Sequence, residues 1–433
     1  MCSRSILLLF FAMLASESIG LPQEPVSGIE PRSLPVPDAN DPGFSLEQLQ
    51  KLALENNPTL VQARAETWKA YGKQQQAGLY PNPVLGYSGQ EIGSGGTAGM
   101  QGFYVSQQFI TGGKLELSRA VAFREQQQAE QVVSAQEFRI VNGVRREYYD
   151  LLTVNRKIQL AEDLLNIAIE SQTQTERRLQ GMQGSRIDVL QARLERERVH
   201  LELETLKVER EAISRRLKVL AGIHQEGELI VAGDLEADVP DLDWESALSR
   251  LLESSPSIAQ AEAGVYRAAA VWQRAKAEPI PDVTLQAGTM HNFETNRQIA
   301  NVQVSLPIPV FNKNQGNISA AEAEWIRASH EVERVRKSLE RELADVFRGY
   351  AQQRIRVMKF NTEILPASWE TLDLSRKALA AEEINSLQFL SVQRSYTGFN
   401  QEYVEALGEI WRQIVAIDGL LLLDGFQAPA SIP

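Results

Sequence analysis

The feature that most restricts the fold is an internal duplication. The segment Phe44–Pro58 resembles Leu242–Pro256 at an offset of 198 residues (242 minus 44), and the string Pro81-Asn82-Pro83 recurs as Pro279-Ile280-Pro281 at the same offset. The register of the two copies barely drifts along the chain. Self-similarity at one fixed spacing indicates a repeat architecture, so we expect two similarly folded halves.

Each copy predicts the same series of elements. A short helix, expected over Ser45–Glu55 and again over Asp243–Glu253, leads to an Asn-Pro or Ser-Pro dipeptide. A second helix then ends at the Pro-x-Pro string, because proline lacks an amide donor and disfavours helix in the residue before it. Two extended runs and two very long helices complete the copy.

The extended runs alternate apolar and polar residues. Val283–Gly288 and Ala300–Leu306 place their apolar side chains on one face, and Val84–Gln90 and Gly102–Phe109 do so less regularly. Alternation of this kind is typical of barrel strands, and also of a half-buried soluble sheet. Taken alone, it favours the soluble sheet.

The long helices change that balance. Lys114–Gln180 spans 67 residues without proline, which is roughly 100 Å at about 1.5 Å per residue. Positions that step by three and four along a helix, most of them apolar, mark a coiled-coil seam. The seam is predicted at Ile158, Ala161, Leu165, Ala168, Gln172, Thr175 and Leu179, and at Leu203, Leu206, Arg210, Ile213, Leu217 and Leu220.

The long helices of the first copy are predicted to reverse at Gly181–Gly184, because glycine accepts the left-handed conformation that ends a helix. The corresponding stretch, Ala380–Ser386, has no glycine or proline, so its reversal is inferred from the repeat. A reversal leaves some backbone groups without intrahelical partners. We expect a docking partner to satisfy these groups.

Four strands cannot close a barrel alone, since single-chain barrels begin at eight strands. An open sheet edge is not tolerated in lipid. If the strands of this chain enter a membrane, several copies must therefore share one barrel. A ring of copies would also give each coiled-coil seam a neighbour.

Charge and the N-terminal segment restrict the function. The chain carries 44 Lys and Arg against 56 Asp and Glu, a net charge of -12, and this sign argues against nucleic-acid binding, which depends on basic residues. Arg4, the apolar run Ile6–Ala15 and the small residues Ser18-Ile19-Gly20 predict a cleaved secretory signal peptide. Cys2 is the one cysteine and would leave with it. No later segment is apolar enough to span a bilayer as a helix.

The sequence contains no recognisable catalytic constellation. The histidines, His200, His224, His291 and His330, are far apart, and no pair has the i, i+4 spacing of a helical metal site. We assign Met290-His291 to a loop, and Gly93–Gly96 to a flexible loop between strands rather than a phosphate cradle. We therefore predict a protein that is not an enzyme, without cofactor or metal site.

The ordered strings resemble the TolC-like outer membrane factor family from about Phe44 to Leu423. Three strings are typical of the family: Leu52–Pro58, Tyr80–Pro83 and Gly184–Arg193. Two others, Gln107–Lys114 and Leu306–Gly316, resemble its cobalt-zinc-cadmium exit-duct branch. The second of these is the most specific string in the chain.

The resemblance implies a mostly α subunit with a small β part that forms an outer-membrane exit duct. In the implied homotrimer, each copy gives four strands to a twelve-stranded β-barrel in outer-membrane lipid and its long helices to a periplasmic α-barrel. A periplasmic adaptor (membrane fusion protein) would dock at the tips, and an inner-membrane pump of the resistance-nodulation-division type would supply the cargo. Divalent metal cations are favoured as cargo, with drugs or other small molecules as alternatives.

The resemblance also indicates where a gate would lie. Asp188 falls where family members often place a tip carboxylate, whereas Gln388 occupies the matching position of the second copy. Asp188 fits equally well as an acid favoured by the dipole at a helix N-terminus. The candidate gate and docking residues are Gly181, Gly184, Ser185, Asp188, Asn385, Ser386 and Gln388.

The predicted organisation follows from the two copies. It comprises a signal peptide (1–20), an N-terminal periplasmic segment (21–43), repeat 1 (44–241, strand pair 84–109, tip near 181–185), repeat 2 (242–424, strand pair 283–306, tip near 382–386) and a C-terminal tail (425–433). One alternative is a soluble periplasmic coiled-coil protein similar to a pump adaptor, although adaptors place a single hairpin between β-rich halves. An exported hydrolase is the other, and it would need a catalytic constellation.

Overall fold

The structure is a computed structural model that describes residues 43–93, 99–182, 184–224, 227–237, 239–381 and 383–430, with Ser386 described by its backbone only. The predicted signal peptide and nearly all of the segment 21–43 lie outside these residues. So does the glycine-rich string 93–96 beyond Gly93.

Within the described residues, the first half of the chain contains four helices and two strands. These are α1 (Leu46–Asn56), α2 (Pro58–Ala77), β1 (Val84–Gln90), β2 (Met100–Phe109), α3 (Lys114–Gln180) and α4 (Arg186–Ala221). Ser45 caps α1 through a capping box with Gln48, and the Asn57 side chain caps α2 by accepting from the Thr59 amide. Both caps explain why the helices begin where the sequence predicts.

The second half repeats this order. It contains α5 (Trp244–Ser254), α6 (Pro256–Ala277), β3 (Val283–Asn292), β4 (Arg297–Ser305), α7 (Gln315–Lys359), α8 (Leu365–Ala380) and α9 (Ser386–Asp418). A five-residue π-helical turn, Phe360–Ile364, joins α7 to α8 without a break. The prediction of two long helices per copy is confirmed. The predicted loop at Met290-His291 is wrong, because β3 continues to Asn292 and pairs His291 with both Gln101 and Gln298.

The π-helical turn has a local cause in Pro366. A proline inside a helix lacks the amide donor, and its ring collides with the carbonyl four residues earlier. Widening the preceding turn to π spacing lets the backbone continue past such a residue. The first copy has no proline in α3, and that helix is regular throughout.

The four strands form one antiparallel sheet in the order β1-β2-β3-β4, so the two copies join through β2 and β3. The register aligns Leu85, Val105, Ala287 and Val302 in one row across the sheet. The adjacent row, on the opposite face, contains Val84, Ser106, Gln286 and Gln303. The predicted alternation is therefore confirmed at the centre of the sheet, where one face is apolar and the other is mainly polar.

The helices lie in a fixed lateral order. Next to the sheet the contacts run α2, α3, α6, α7, and farther away they run α4, α3, α9 and then α7 with α8. Hence α2 and α4 lie at one flank of the chain, and α7 and α8 lie at the other. The strands follow the same lateral order, with β1 at the first flank and β4 at the second.

A continuous apolar core joins the two copies. Leu217 of α4, Leu251 of α5, and Leu407 and Ile410 of α9 are almost completely buried within it. Trp411 of α9 stacks on Tyr149 of α3 with ring centroids 4.4 Å apart, and its indole N–H donates to the Leu235 carbonyl. The two halves are therefore one folding unit.

The connector between α4 and α5 runs across this core. Its Ile230 carbonyl accepts from the Phe44 amide at 2.9 Å, and the Ala232 amide donates to the Phe44 carbonyl at 3.1 Å. Leu229 and Leu235 are buried. The connector thus holds Phe44, at the start of the first copy, next to the residues that follow α4 at the end of that copy.

The residues after α9 fold back onto α3. The side-chain amide of Asn142 donates to the carbonyls of Gly419 and Leu422 at 2.9 and 2.8 Å. The Gly425 carbonyl accepts from Thr59 and Gln136. These buried polar contacts, which satisfy backbone carbonyls away from water, hold the C-terminal segment in place.

Among the residues that the structure describes, no helix combines the length and the apolar character needed to cross a membrane.

Candidate functional site at the hairpin tips

The first reversal lies between α3 and α4. The residue in the left-handed conformation is Met182, with φ of 61°, and not the predicted Gly181, whose φ is -75°. Gly184 has another role: a Cβ there would lie 3.2 Å from the Leu179 amide nitrogen and 3.3 Å from the Arg178 carbonyl carbon. Glycine at this position thus favours a close approach to the end of α3, and its backbone angle is not left-handed.

Ser185 and Asp188 form a capping box at the start of α4. The Ser185 hydroxyl accepts from the Ile187 amide at 3.1 Å, and the Asp188 carboxylate accepts from the Ser185 amide at 3.1 Å. These bonds satisfy two donors that a helix start leaves open. The structure therefore gives Asp188 a local role in the helix cap.

The second reversal uses the same device with different residues. The Asn385 side chain accepts from the Gln388 amide at 2.8 Å, and the Gln388 side chain accepts from the Asn385 amide at 3.0 Å. Ser386 is the first residue of α9. Gln388 therefore matches Asp188 in hydrogen bonding but carries no charge.

These caps correct one expectation about the tips. At Ser185, Ile187, Asn385 and Gln388 the amides already have partners within the chain, so a docking protein need not satisfy them. Apolar side chains beside the caps are exposed as well: Ile187 is 66% exposed, Leu190 50% and Leu387 56%. A partner at the tips would meet this apolar surface on capped helix starts.

The cap at Ser185 leads to a prediction about local stability. Ser185→Ala removes the acceptor for the Ile187 amide and should destabilise the start of α4 by about 1 kcal/mol. Amide hydrogen exchange should accelerate over the first turn of α4 and stay unchanged at α9. Ser185→Thr, which keeps the hydroxyl, is the control, and equal exchange in all three proteins would contradict the assignment.

About three turns inside the tips, an ion cluster links the two copies. Glu195 of α4 is 3% exposed. Its Oε1 accepts from Arg198 at 2.7 Å and its Oε2 accepts from Arg394 of α9 at 2.9 Å. Farther from the tips, the Gln401 side chain of α9 donates to the Glu202 carboxylate of α4.

The pKa of Glu195 reflects this environment. Burial acts to raise the pKa of the carboxyl group, but the hydrogen bonds and charges of Arg198 and Arg394 outweigh it and hold the pKa below its usual range. Glu195 is therefore ionised at neutral pH. It serves as a fixed anionic bridge between the two hairpins.

Glu195 and Arg394 were not predicted from the sequence, although a signal was present. Ala192, Glu195, Val199 and Leu203 follow one another at spacings of three and four, and all are buried. Glu195 is thus a charged residue on an otherwise apolar seam. Buried charges require partners, so its position alone indicated a cation on a neighbouring helix.

A shallow groove separates the two tips. Gln191 lines it from α4, and Leu387, Leu390, Ser391 and Arg394 line it from α9. Leu190 and Leu390 match in the repeat, but Leu390 is buried whereas Leu190 is half exposed. Within the described ranges, no group of three His, Cys, Asp or Glu side chains could hold a metal ion.

Comparison with protein families identifies the architecture. The model of the family described as outer membrane efflux protein matches residues 49–223 and again residues 247–421. The chain belongs to the outer membrane efflux protein family. The double match coincides with the two copies, and members of this family are channels rather than enzymes.

Individual relatives agree with this membership. The chain is similar to the cobalt-zinc-cadmium resistance protein CzcC of Cupriavidus metallidurans, with 25% identity over 87% of this efflux protein and 90% of CzcC. Among solved structures, CusC superposes with a TM-score of 0.73 at 20% identity, covering 87% of this chain and 91% of CusC. The open state of the MtrE outer membrane channel of Neisseria gonorrhoeae gives 0.73 at 18% identity, with coverages of 89% and 91%.

Proposed function

We propose that this efflux protein is the outer-membrane exit duct of a tripartite system and that its cargo is divalent metal cations. The observation that carries the proposal is the sheet. Its apolar face is exposed, with Leu85 at 74%, Phe103 at 64% and Val302 at 68%, and it continues into four long helices. Such a face suits lipid, and the helices reach roughly 100 Å from it at about 1.5 Å per residue.

The free flanks support assembly of identical copies. In the part of the chain that the structure describes, β1 and β4 have no strand partner on their outer sides. Pairing β4 of one copy with β1 of the next removes both edges, which lipid requires. The same head-to-tail step brings α7 and α8 beside α2 and α4, and a ring of three copies completes the proposed trimer.

The flanking helices carry matching apolar surface. On α4, Leu194, Leu201 and Val208 recur every seven residues and are each 68% exposed. On the opposite flank, Met358 and Trp369 are more than half exposed. Exposed apolar stripes of this kind mark contact surfaces, and we assign them to the neighbouring copy in the α-barrel.

The partners are proposed from the family membership of the chain. A periplasmic adaptor would dock at the two reversals, and an inner-membrane pump of the resistance-nodulation-division type would deliver the cargo. Divalent metal is the favoured cargo because of the similarity to CzcC. A predicted cleaved signal peptide over 1–20 would direct export of the chain, and the outer membrane is its proposed location.

The proposal is tested by reconstitution in a bacterial host that lacks its own duct but carries the adaptor and pump of a metal system. We expect the protein to require detergent for extraction, to migrate as a trimer and to restore resistance to cobalt, zinc or cadmium. Recovery in the buffer-soluble fraction would overturn the duct assignment. Restored drug resistance without metal resistance would overturn the cargo alone.

Tip docking gives a separate prediction. Ile187→Glu and Leu387→Glu place charge on the exposed apolar surface without touching either cap, and should abolish resistance and adaptor capture while the trimer persists. Ser185→Trp would be a poor probe, because it also removes the cap. Ser185→Thr is the matched control. Full resistance in both glutamate variants would show that the adaptor docks elsewhere.

A further inference from the structure

The two copies within one chain show how neighbouring chains meet. Inside the chain, β2 pairs with β3 and α3 packs on α6. By the repeat, β2 and α3 correspond to β4 and α7, whereas β3 and α6 correspond to β1 and α2. A ring of copies therefore places β4 and α7 of one chain beside β1 and α2 of the next, as the proposed function requires.

The junction inside the chain combines a polar contact with packing of the Ile280 side chain next to Gly112. The turn after β2 meets the linker before β3 through Thr111, whose amide donates to Asp282 at 3.0 Å. Lys114 pairs with the same carboxylate at 2.9 Å and is only 4% exposed. This polar contact secures the sheet to the helices at the centre of the chain.

The equivalent segments at the flanks differ from this junction. Four residues, 110–113, connect β2 to α3, whereas nine residues, 306–314, connect β4 to α7. The longer connection begins the most specific string of the sequence, and its apolar side chains are uncovered. Leu306 is 51% exposed, Ile308 77%, Val310 63% and Phe311 92%.

The connection is nevertheless held in one conformation. Asn314, in the left-handed region with φ of 59°, donates from its side chain to the Ala275 carbonyl at the end of α6. Its amide donates to Asn312, and the Lys313 amide donates to Gln315. The polar residues 312–315 thus fix the conformation of the connection, and the apolar residues before them remain exposed.

The opposite flank carries a complementary surface. The linker between α2 and β1 exposes Leu79 at 53% and Tyr80 at 61%, and Val84 at the start of β1 is 58% exposed. This linker joins helix to sheet at the level where 306–314 joins sheet to helix. Neither segment has a cover within the described chain that would lower these exposures.

We propose that Leu306–Phe311 of one copy packs on Leu79–Val84 of the next copy and forms an apolar clamp between subunits. The clamp replaces, between chains, the Lys114–Asp282 contact that operates within each chain. It rests on the proposed ring, but it names a contact that the ring alone does not require.

Cysteine cross-linking tests the clamp directly. Cys2 is the one cysteine, so Cys2→Ser gives a cysteine-free background. In it, Tyr80→Cys combined with Val310→Cys should give covalent ladders between chains with a short bifunctional maleimide, in the detergent-extracted full chain. Each single variant should give none. Ile187→Cys with Val310→Cys pairs two exposed residues at opposite ends of the molecule, and it should also give none.

The outcomes separate the clamp from the duct. A trimer that cross-links through Tyr80→Cys and Val310→Cys supports the clamp. A trimer without that cross-link, or with Val310→Cys modified by a reagent confined to the lipid phase, overturns the clamp and leaves the duct intact. Absence of any oligomer would overturn the proposed ring and the clamp with it.

Discussion

Trp411→Ala is expected to lower the free energy of unfolding by about 3–5 kcal/mol, the usual cost of truncating a large buried aromatic side chain. Trp411 is 8% exposed, stacks on Tyr149 at an interplanar angle of 5° and donates to Leu235 at 3.0 Å. The change therefore removes contacts to α3 and to the connector at once. Thermal unfolding of the detergent-extracted protein, followed by circular dichroism, measures the loss.

Trp411→Phe is the informative companion. It keeps an aromatic ring against Tyr149 but removes the indole donor to the Leu235 carbonyl. We expect a smaller loss, about 1–3 kcal/mol, because a buried acceptor is left without a partner. If both variants unfolded at the same temperature as the wild-type protein, the contact between the halves would not depend on Trp411.

Glu195→Gln should have the next largest effect, about 1.5–3 kcal/mol, the contribution typical of hydrogen bonds to charged groups. The change removes the charge that Arg198 and Arg394 share. Both arginine side chains are half exposed, at 51% and 56%, so water can solvate them afterwards, which keeps the loss below that of an isolated buried pair. Combining Glu195→Gln with Arg394→Met in a double-mutant cycle isolates the α4–α9 contact.

The effect should depend on pH in a defined direction. Because the pKa of Glu195 lies below its ordinary value of 4.5 in the folded chain, folding favours the ionised carboxylate. Its stabilisation is fully present above the pKa of the unfolded chain and is lost as the pH falls through the lower, folded value. The difference between wild type and Glu195→Gln should therefore shrink in acid. A constant difference down to acidic pH would contradict the ion bridge.

The large elements were predictable from the sequence because their signals are local or repeated. The 198-residue offset, the Pro-x-Pro strings and the uninterrupted span 114–180 predicted the order of helices and strands that the structure has. Alternation predicted the apolar face of the sheet. The sheet joins the two copies by pairing β2 with β3, which places Val105 beside Ala287. No single segment of the sequence specifies this contact between copies.

The tips were predicted less well, because a reversal depends on several weak interactions. Glycine pointed to the right place, yet the left-handed residue is Met182. The pair Asn385 and Gln388 has no glycine signal, although Asn followed three residues later by Gln is itself a capping-box pattern. Glu195 belongs to no recognisable string, and its signal is a single charged residue within an apolar seam, which is weaker than a motif.

The connector between α4 and α5 has a consequence for how a ring would assemble. Because the connector links the two copies in one chain, every second contact between copies around the ring forms within a single chain. The linked copies meet at an effective concentration on the order of millimolar for a short link. The polar Lys114–Asp282 contact forms under that condition and needs little driving force of its own. Contacts between separate chains have no such link and must form from dilute protein in the membrane. The longer apolar segment after β4 therefore lies at the contact whose formation depends only on the affinity between chains.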